Sequence, residues 1–416
     1  MAFSQYERSK ARQNNNSVTL AELLGSLSYA LDMTEGQPEG HCIRCCWIAT
    51  KIGEVLEFSD AKLSDLYFSL LLKDLGCSSN AARICELYLT DDITFKRDFK
   101  TIDGSLSAAL RFVFAKTGLE AGLSERIRAI VNILQNGGEI SRELIETRCQ
   151  RGADIAGKMR FSQTVQDNIR CLDERWDGSG KPDNLAGGDI PIGANIALLA
   201  QVVDIFHNDA DRHAAIAEIE TRSGIWFNPE LVEAFLVAQA QPDFWTMLRD
   251  ANLDKVVLSM KPSLQSEIVD EDYLDQISAA FSDIVDAKSP FTADHSNRVT
   301  FYTDMIAEQL GLSDDHRRWL RRAALLHDVG KLAVSNQILD KPGKLDQEEW
   351  AVIKSHPFHS EQILKQVSAF EDIAPVAGRH HERLDGKGYP YGLKNEELSI
   401  EVRILTVADV FDALSA

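Results

Sequence analysis

The chain is short of several things, and each shortage excludes a class of protein. No run approaches the roughly 20 consecutive apolar residues of a membrane-spanning helix, so a helical integral membrane protein is not expected. The N-terminus, MAFSQYERSKARQNNN, lacks the apolar core of a secretory signal, which points to the cytoplasm. Basic residues are outnumbered, 44 Lys and Arg against 64 Asp and Glu, for a formal charge of −20. That field repels polyanions and makes DNA and RNA poor partners. A small phosphate ligand would need local positive charge, for which bound metal ions are the usual source. No cysteine follows Cys171, and an odd count of seven suggests reduced thiols rather than a disulfide framework. Strict polar–apolar alternation is scarce, so no strand is predicted.

What is present is the balance of a globular protein: 416 residues, 44% apolar and 26% charged, enough for two or three domains. The most informative feature is self-similarity. Leu20 to His41 aligns without gaps on Leu274 to His295, an offset of 254 that persists to LLKDLG (Leu71 to Gly76) on LLHDVG (Leu325 to Gly330). Later, ERWDGSGKP (Glu174 to Pro182) matches ERLDGKGYP (Glu382 to Pro390) at an offset of 208. The first copy therefore carries about 46 extra residues between these blocks, as a duplicated domain with one insertion would. Apolar spacing in both copies is helical, with a turn at Gly311, an N-cap at Ser313 and acidic Asp314 and Asp315 after it. Lys261-Pro262-Ser263 breaks the pattern, which resumes near Tyr273, so the domain boundary is placed near 262.

Seven of the ten histidines lie between His295 and His381. Imidazoles and carboxylates without cysteine form the donor set of Mn, Fe, Co, Ni or Zn rather than of a structural thiolate site. Asp328 follows His327 on a predicted helix, where successive side chains point about 100° apart. That splay suits one end-on imidazole and one carboxylate reaching between two ions. His380-His381 offers ligands to neighbouring metals, and Asp409, at the start of a last helical segment, a further carboxylate. Cys42-x-x-Cys45-Cys46 invites a zinc reading, but it overlays a helix and is read as packing. His316 and His359 fit a surface or supporting role, and Gly386, Gly388 and Gly392 a turn.

HSNRV, LLHDVGK, ILDKPGKLDQEEW, SHPFHSEQIL, RHHERLDGKGYPYGL and VADVFDAL, in that order, resemble an HD-GYP domain of the HD phosphohydrolase superfamily over about residues 270–416. The resemblance implies an all-α fold, here two HD-type helical bundles in tandem. It implies hydrolysis of a cyclic dinucleotide, cyclic di-GMP or 3′,3′-cyclic GMP-AMP, to a linear dinucleotide by a hydroxide bridging two metal ions. The implied ligands are His295, His327, Asp328, His356, His380, His381 and Asp409, with Asp328 bridging two Fe or Mn ions, or Ni, Co or Zn. Asp328 and Lys331 would be catalytic, Lys331 donating to a substrate phosphate. Gly388, Tyr389 and Pro390 would line the substrate or a protein partner. Phe291 stands where some members carry a third-metal Glu, so a dinuclear site is implied. The chain ends at Ala416, seven residues after Asp409, without the basic segment usual in the family, which suggests truncation. A catalytically weak cyclic-dinucleotide sensor is the alternative, and a mononucleotide phosphohydrolase is opposed by His380-His381 and the GYP loop.

In the first copy, His41, Asp74 and Asp204 are read as surviving ligand counterparts, Asp204 matching Asp409 across a three-residue insertion. Lys73 replaces His327, Leu172 and Asp173 replace His380 and His381, Cys149 falls near His356, and Lys181 replaces the GYP tyrosine. An ammonium at a ligand position repels a divalent ion. The expected organisation is a disordered tail over 1–16, a degenerate domain without a dinuclear metal over 17–260, and the HD-GYP domain over 264–416.

Overall fold

The computed structural model describes residues 4–6, 19–102, 105–260 and 269–415. Within them the chain is all-α, with two isolated bridge pairs and no named strand. It divides into two compact units: Leu31–Ser266, and Glu267–Ala416 together with Met1–Ala30. Helix α1 (Leu20–Thr34) is split between them. The joint expected at Lys261-Pro262-Ser263 lies outside the described residues. So does most of the tail expected to be disordered, but Ser4, Gln5 and Tyr6 are described. Tyr6 is buried and stacks on His316, ring centroids 4.2 Å apart, so these residues are docked rather than disordered. A stacked aromatic pair holds them, which the polar composition of the tail conceals. No helix among the described residues is long and apolar enough to cross a membrane.

In the unit Leu31–Ser266, α2 (His41–Val55) and α3 (Asp60–Leu72) pack side by side, and Cys42, Cys45 and Cys46 are buried in α2. The extra residues of the first copy fall among α4 (Ala81–Tyr88), α5 (Asp92–Phe99), α6 (Leu106–Lys116) and the start of the long α7 (Leu123–Lys158). These helices build a core of their own from Ile84, Tyr88, Phe95, Phe112, Ile130 and Ile133. Helix α8 (Gln163–Arg170) packs on α7 and α3, and α9 (Ile192–Asp209) packs on α2 and α3.

The other unit is built on α10 (Glu271–Asp286), α11 (His295–Gln309), α12 (Asp314–Leu326), α13 (Gln347–Lys365), the short α14 (Ala374–Ala377) and α15 (Ile400–Ser415). Sequence signals set their ends. Asp270 caps α10 by accepting from the Tyr273 N–H at 2.8 Å, Ser313 caps α12 at the His316 N–H, and Gly311 turns the chain at φ +76°. Asp346 and Glu349 form a capping box on α13. Phe281, Ile277, Leu320 and Leu326 are fully buried in the core between α10 and α12. At the end of α10, Asp286 accepts from the Ser296 N–H at 3.0 Å and the Ser296 hydroxyl at 2.7 Å, which fixes where α11 begins.

Two expectations about local structure are corrected. The helix carrying His327 ends at Leu326, and Asp328 opens a 3₁₀ turn, Val329–Ala333, so His327 and Asp328 are splayed by a helix end rather than by a continuing helix. Asp409 lies inside α15, nine residues from its start, because Ile400, Val402 and Leu405 extend the apolar helical face upstream.

The 3₁₀ turn packs flush against α13. A Cβ on Gly330 would overlap the carbonyl oxygen of His356 and lie 2.7 Å from the Ser360 nitrogen, both backbone atoms that cannot yield easily. Gly330→Ala is therefore expected to cost about 1–3 kcal/mol of stability in this unit. Chemical denaturation measures this directly, and an unchanged midpoint would contradict the close approach.

Candidate metal centre

Five elements bring the seven expected ligands together. His295 opens α11, His327 and Asp328 follow α12, His356 lies in α13, His380 and His381 follow α14, and Asp409 lies in α15. Asp328 is at the middle. Its Oδ2 is 3.5 Å from His295 Nε2 and 3.2 Å from His327 Nε2, while its Oδ1 is 3.2 Å from His356 Nε2 and 3.7 Å from His380 Nε2. Asp409 repeats the division, with Oδ1 3.3 Å from His295 Nε2 and Oδ2 3.7 Å from His381 Nδ1. The donors thus fall into two groups that share the Asp328 carboxylate, and His295, His327 and Asp409 form one triplet and His356, His380 and His381 another.

Two helix ends and one interruption within a helix orient three of the imidazoles. His327 Nδ1 lies 2.6 Å from the Ala324 carbonyl oxygen and His380 Nδ1 2.6 Å from that of Ala377, both in last turns whose carbonyls lack an intrahelical partner. His356 Nδ1 lies 2.7 Å from the Ile353 carbonyl oxygen. That carbonyl is freed within α13 by Pro357, which has no N–H to return to residue 353. A carbonyl only accepts, so each Nδ1 carries the proton and each Nε2 turns a lone pair toward Asp328.

This arrangement fits divalent cations. His327 Nε2 and Asp328 Oδ1 are buried and have no hydrogen-bond partner, an expensive state for polar atoms that a cation relieves. Burial pushes His380 well down and His381 down to about 4, so both are neutral donors. Burial opposes ionisation of Asp328, but His327 and Lys331 outweigh it and hold the carboxyl well below the usual range. Lys331 Nζ lies 2.5 Å from Asp328 Oδ2. Of the proposed substrate contacts, Tyr389 borders the cluster, its ring centroid 4.8 Å from that of His381. Gly388 packs on the backbone of Glu382 and Arg383, and Pro390 follows Tyr389 through a cis peptide. His316 pairs with Glu401 at 3.1 Å, outside the cluster.

The sequence reading passed over residues that brace the site. Glu382 accepts from the N–H groups of Tyr391, Gly392 and Leu393 at 2.6, 3.0 and 2.9 Å and holds the loop beside Tyr389. Asp412 lies 2.8 Å from His295 Nδ1. Its signal was its place three residues after Asp409, on the same helix face. Trp350, 45% exposed, extends the aromatic edge, 6.4 Å from Tyr389 between centroids.

In the unit Leu31–Ser266 two cations, Lys73 and Arg148, stand where the other unit has the imidazoles of His327 and His356, while His41 keeps that of His295. Buried Lys73 and Asp74 pair directly. Lys73 and Lys100 each donate to Gln201 Oε1 at 3.3 Å, Lys100 also pairs with Glu35, and Arg148 pairs with Asp173. Burial and the Lys73 ammonium push His41 down to about 4. Local geometry corrects two alignments. A Cβ on Gly76 would meet the Arg148 oxygen and the Gly152 nitrogen, as Gly330 meets His356 and Ser360, so Arg148 rather than Cys149 stands at the place of His356. Asp204 lies 2.6 Å from His41 Nδ1 and 2.6 Å from Arg44 Nε, as Asp412 lies by His295 and Arg298. Asp204 therefore matches Asp412 with no insertion, and Gln201 matches Asp409.

Burial opposes a proton on His295, but hydrogen bonds with Asp328 and Asp409 prevail and raise it to about 10. Below that pH the imidazole is protonated, and a cation at the cluster must displace the proton. Mn²⁺ binding near pH 7.5 is therefore expected to release protons and to tighten as pH rises. Calorimetry in buffers of different ionisation enthalpy measures this, and binding without proton release would contradict it.

A family model described as HD domain matches residues 118–231 and 279–416. The 3′3′-cGAMP-specific phosphodiesterase 3 of Vibrio cholerae serotype O1 is 53% identical over 401 residues, 96% of this chain and 87% of that protein. A cyclic di-GMP phosphodiesterase response regulator of Xanthomonas campestris is 47% identical over 119 residues, 28% of this chain and 32% of its own. A crystal structure of a cyclic GMP-AMP specific phosphodiesterase of V. cholerae, 48% identical, covers 96% of this chain and 89% of that one, with a TM-score of 0.67. By the two matched segments, and by similarity along nearly its whole length, the chain belongs to the HD-domain family.

Proposed function

We propose that this protein is a metal-dependent phosphodiesterase that opens a cyclic dinucleotide to its linear form, with 3′,3′-cyclic GMP-AMP as substrate. The observation that carries the reading is the division of seven donors into two groups around one buried carboxylate, Asp328. Phosphodiester cleavage needs charge compensation on attacking and leaving oxygens, which two adjoining cation sites are built to give. The choice of dinucleotide rests on relatives. The one similar over 96% of the chain is named for 3′3′-cGAMP, whereas cyclic di-GMP phosphodiesterases of X. campestris and Pseudomonas aeruginosa match 28% and 44% of it.

His295, His327 and Asp409 would hold one divalent ion and His356, His380 and His381 the other, with Asp328 between; Fe or Mn suits this donor set. Bound there, the ions supply Lewis acidity and an activated water. The chain's own residues do the rest. Lys331, its side chain 20% exposed, offers a point charge to a phosphate oxygen within a protein of net charge −20. Tyr389 and Trp350 present ring faces on which a purine can stack, with Gly388 and Pro390 shaping that loop. We read residues 264–416 as the catalytic HD-GYP domain and 17–260 as a degenerate copy, in which Lys73, Lys100 and Arg148 pair with Asp74, Glu35 and Asp173 and leave no dinuclear centre.

Asp328→Ala is expected to lower kcat/KM for 3′,3′-cyclic GMP-AMP by roughly 10³-fold or more, together with bound metal. Product chromatography and metal analysis read both, and retention of turnover and metal would end the assignment. The wild-type protein, given both dinucleotides, should cleave the hybrid faster; equal rates would overturn the choice of substrate.

A further inference from the structure

His295 differs from the other buried imidazoles of the cluster in what holds its Nδ1. His327, His356 and His380 each use a backbone carbonyl three residues earlier, made available by a helix end or by Pro357. His295 is the first residue of α11, and its neighbour Asp294 has left-handed backbone, φ +60°, so the short 3₁₀ turn before it, Pro290–Thr292, does not run on into α11 as the turns before the other three imidazoles do. A side chain must take that role. Asp412 from α15 supplies it, with Oδ2 2.8 Å from His295 Nδ1. Asp412 is held in turn by Arg298, one turn along α11. Arg298 Nε donates to Asp412 Oδ1 at 2.7 Å and Nη2 to Oδ2 at 2.9 Å, while Nη1 donates to the Ala293 carbonyl at 2.9 Å. This two-pronged clamp fixes the plane of the carboxylate as well as its position.

We propose that Asp412, clamped by Arg298, is the positioning residue for His295, fixing Nδ1 as the donor so that Nε2 faces Asp328 and Asp409 as a metal ligand. The proposal rests on reading His295 as a ligand. A carboxylate acceptor also makes the imidazole a stronger donor than a carbonyl would, so its loss is felt at the ion and not only in the fold. The same trio, His41, Asp204 and Arg44, occurs in the unit Leu31–Ser266, where lysine and glutamine occupy neighbouring ligand positions. There it ties α9 to α2 beside the Lys73 ammonium, which makes it an internal control for the structural role.

The test uses the full chain and Mn²⁺ alone, with affinity read by equilibrium dialysis and folding by thermal unfolding. Asp412→Asn keeps the shape and a weaker acceptor, and is expected to lower Mn²⁺ affinity 10–100-fold. Asp412→Glu is expected to recover part of that loss. Arg298→Gln, which leaves Asp412 in place but unclamped, covers the case in which Asp412→Asn folds poorly, and is expected to weaken affinity to a lesser extent. Asp204→Asn should lower the unfolding midpoint while leaving Mn²⁺ affinity at the wild-type value. Unchanged affinity in Asp412→Asn, alongside loss of metal in Asp328→Ala, would overturn the positioning role and leave the site intact. An equal fall in affinity from Asp204→Asn would overturn it as general destabilisation. Unchanged affinity in both Asp412→Asn and Asp328→Ala would instead refute the metal site itself.

Discussion

A carboxylate stripped of water must find cations to replace it, and Asp328 is stripped almost completely. The surrounding unit is arranged around that requirement. Four imidazole nitrogens approach its two oxygens, two to each, and Lys331 pairs with Oδ2. Each histidine reaches its place because a regular element stops or breaks there: α11 begins at His295, α12 ends before His327, Pro357 interrupts the bonding of α13, and α14 ends before His380. Broken helices are the reason the site can exist in an all-helical fold. They free carbonyls to orient imidazoles and release backbone from the direction an unbroken helix imposes.

The other unit meets the same physical demand in another way. Asp74 occupies the place of Asp328 and is equally buried, but its charge is met by Lys73 on the preceding residue. Lys100, pairing with Glu35, and Arg148, pairing with Asp173, complete a set of covalently attached cations. A side-chain ammonium cannot be lost to a chelator and cannot activate a water. The chain thus carries one buried carboxylate, Asp328, surrounded by imidazole donors and another, Asp74, paired with a covalently attached cation.

Much of this was legible in the sequence. The all-α class followed from apolar spacing, and the caps at Ser313 and Asp270 lie where helix-start chemistry places them. The seven clustered residues were found because motif order kept their spacing visible, and they converge. What stayed hidden involved pairs far apart in sequence. Asp412 reads as one more acidic residue on a surface helix until α15 is seen to lie against the start of α11. Tyr6 reads as part of a polar tail until His316 is found beneath it. The register of Asp204 is settled by its contact with His41 and Arg44, which repeats that of Asp412 with His295 and Arg298.

The central claim is that one carboxylate, Asp328, lies between two cations. Anomalous diffraction at the manganese edge from Mn²⁺-soaked crystals of the full chain tests it most directly. The account predicts two peaks roughly 3.5–4 Å apart, one on each side of the Asp328 carboxylate. A single peak, or two peaks that leave Asp328 on neither path between them, would contradict it.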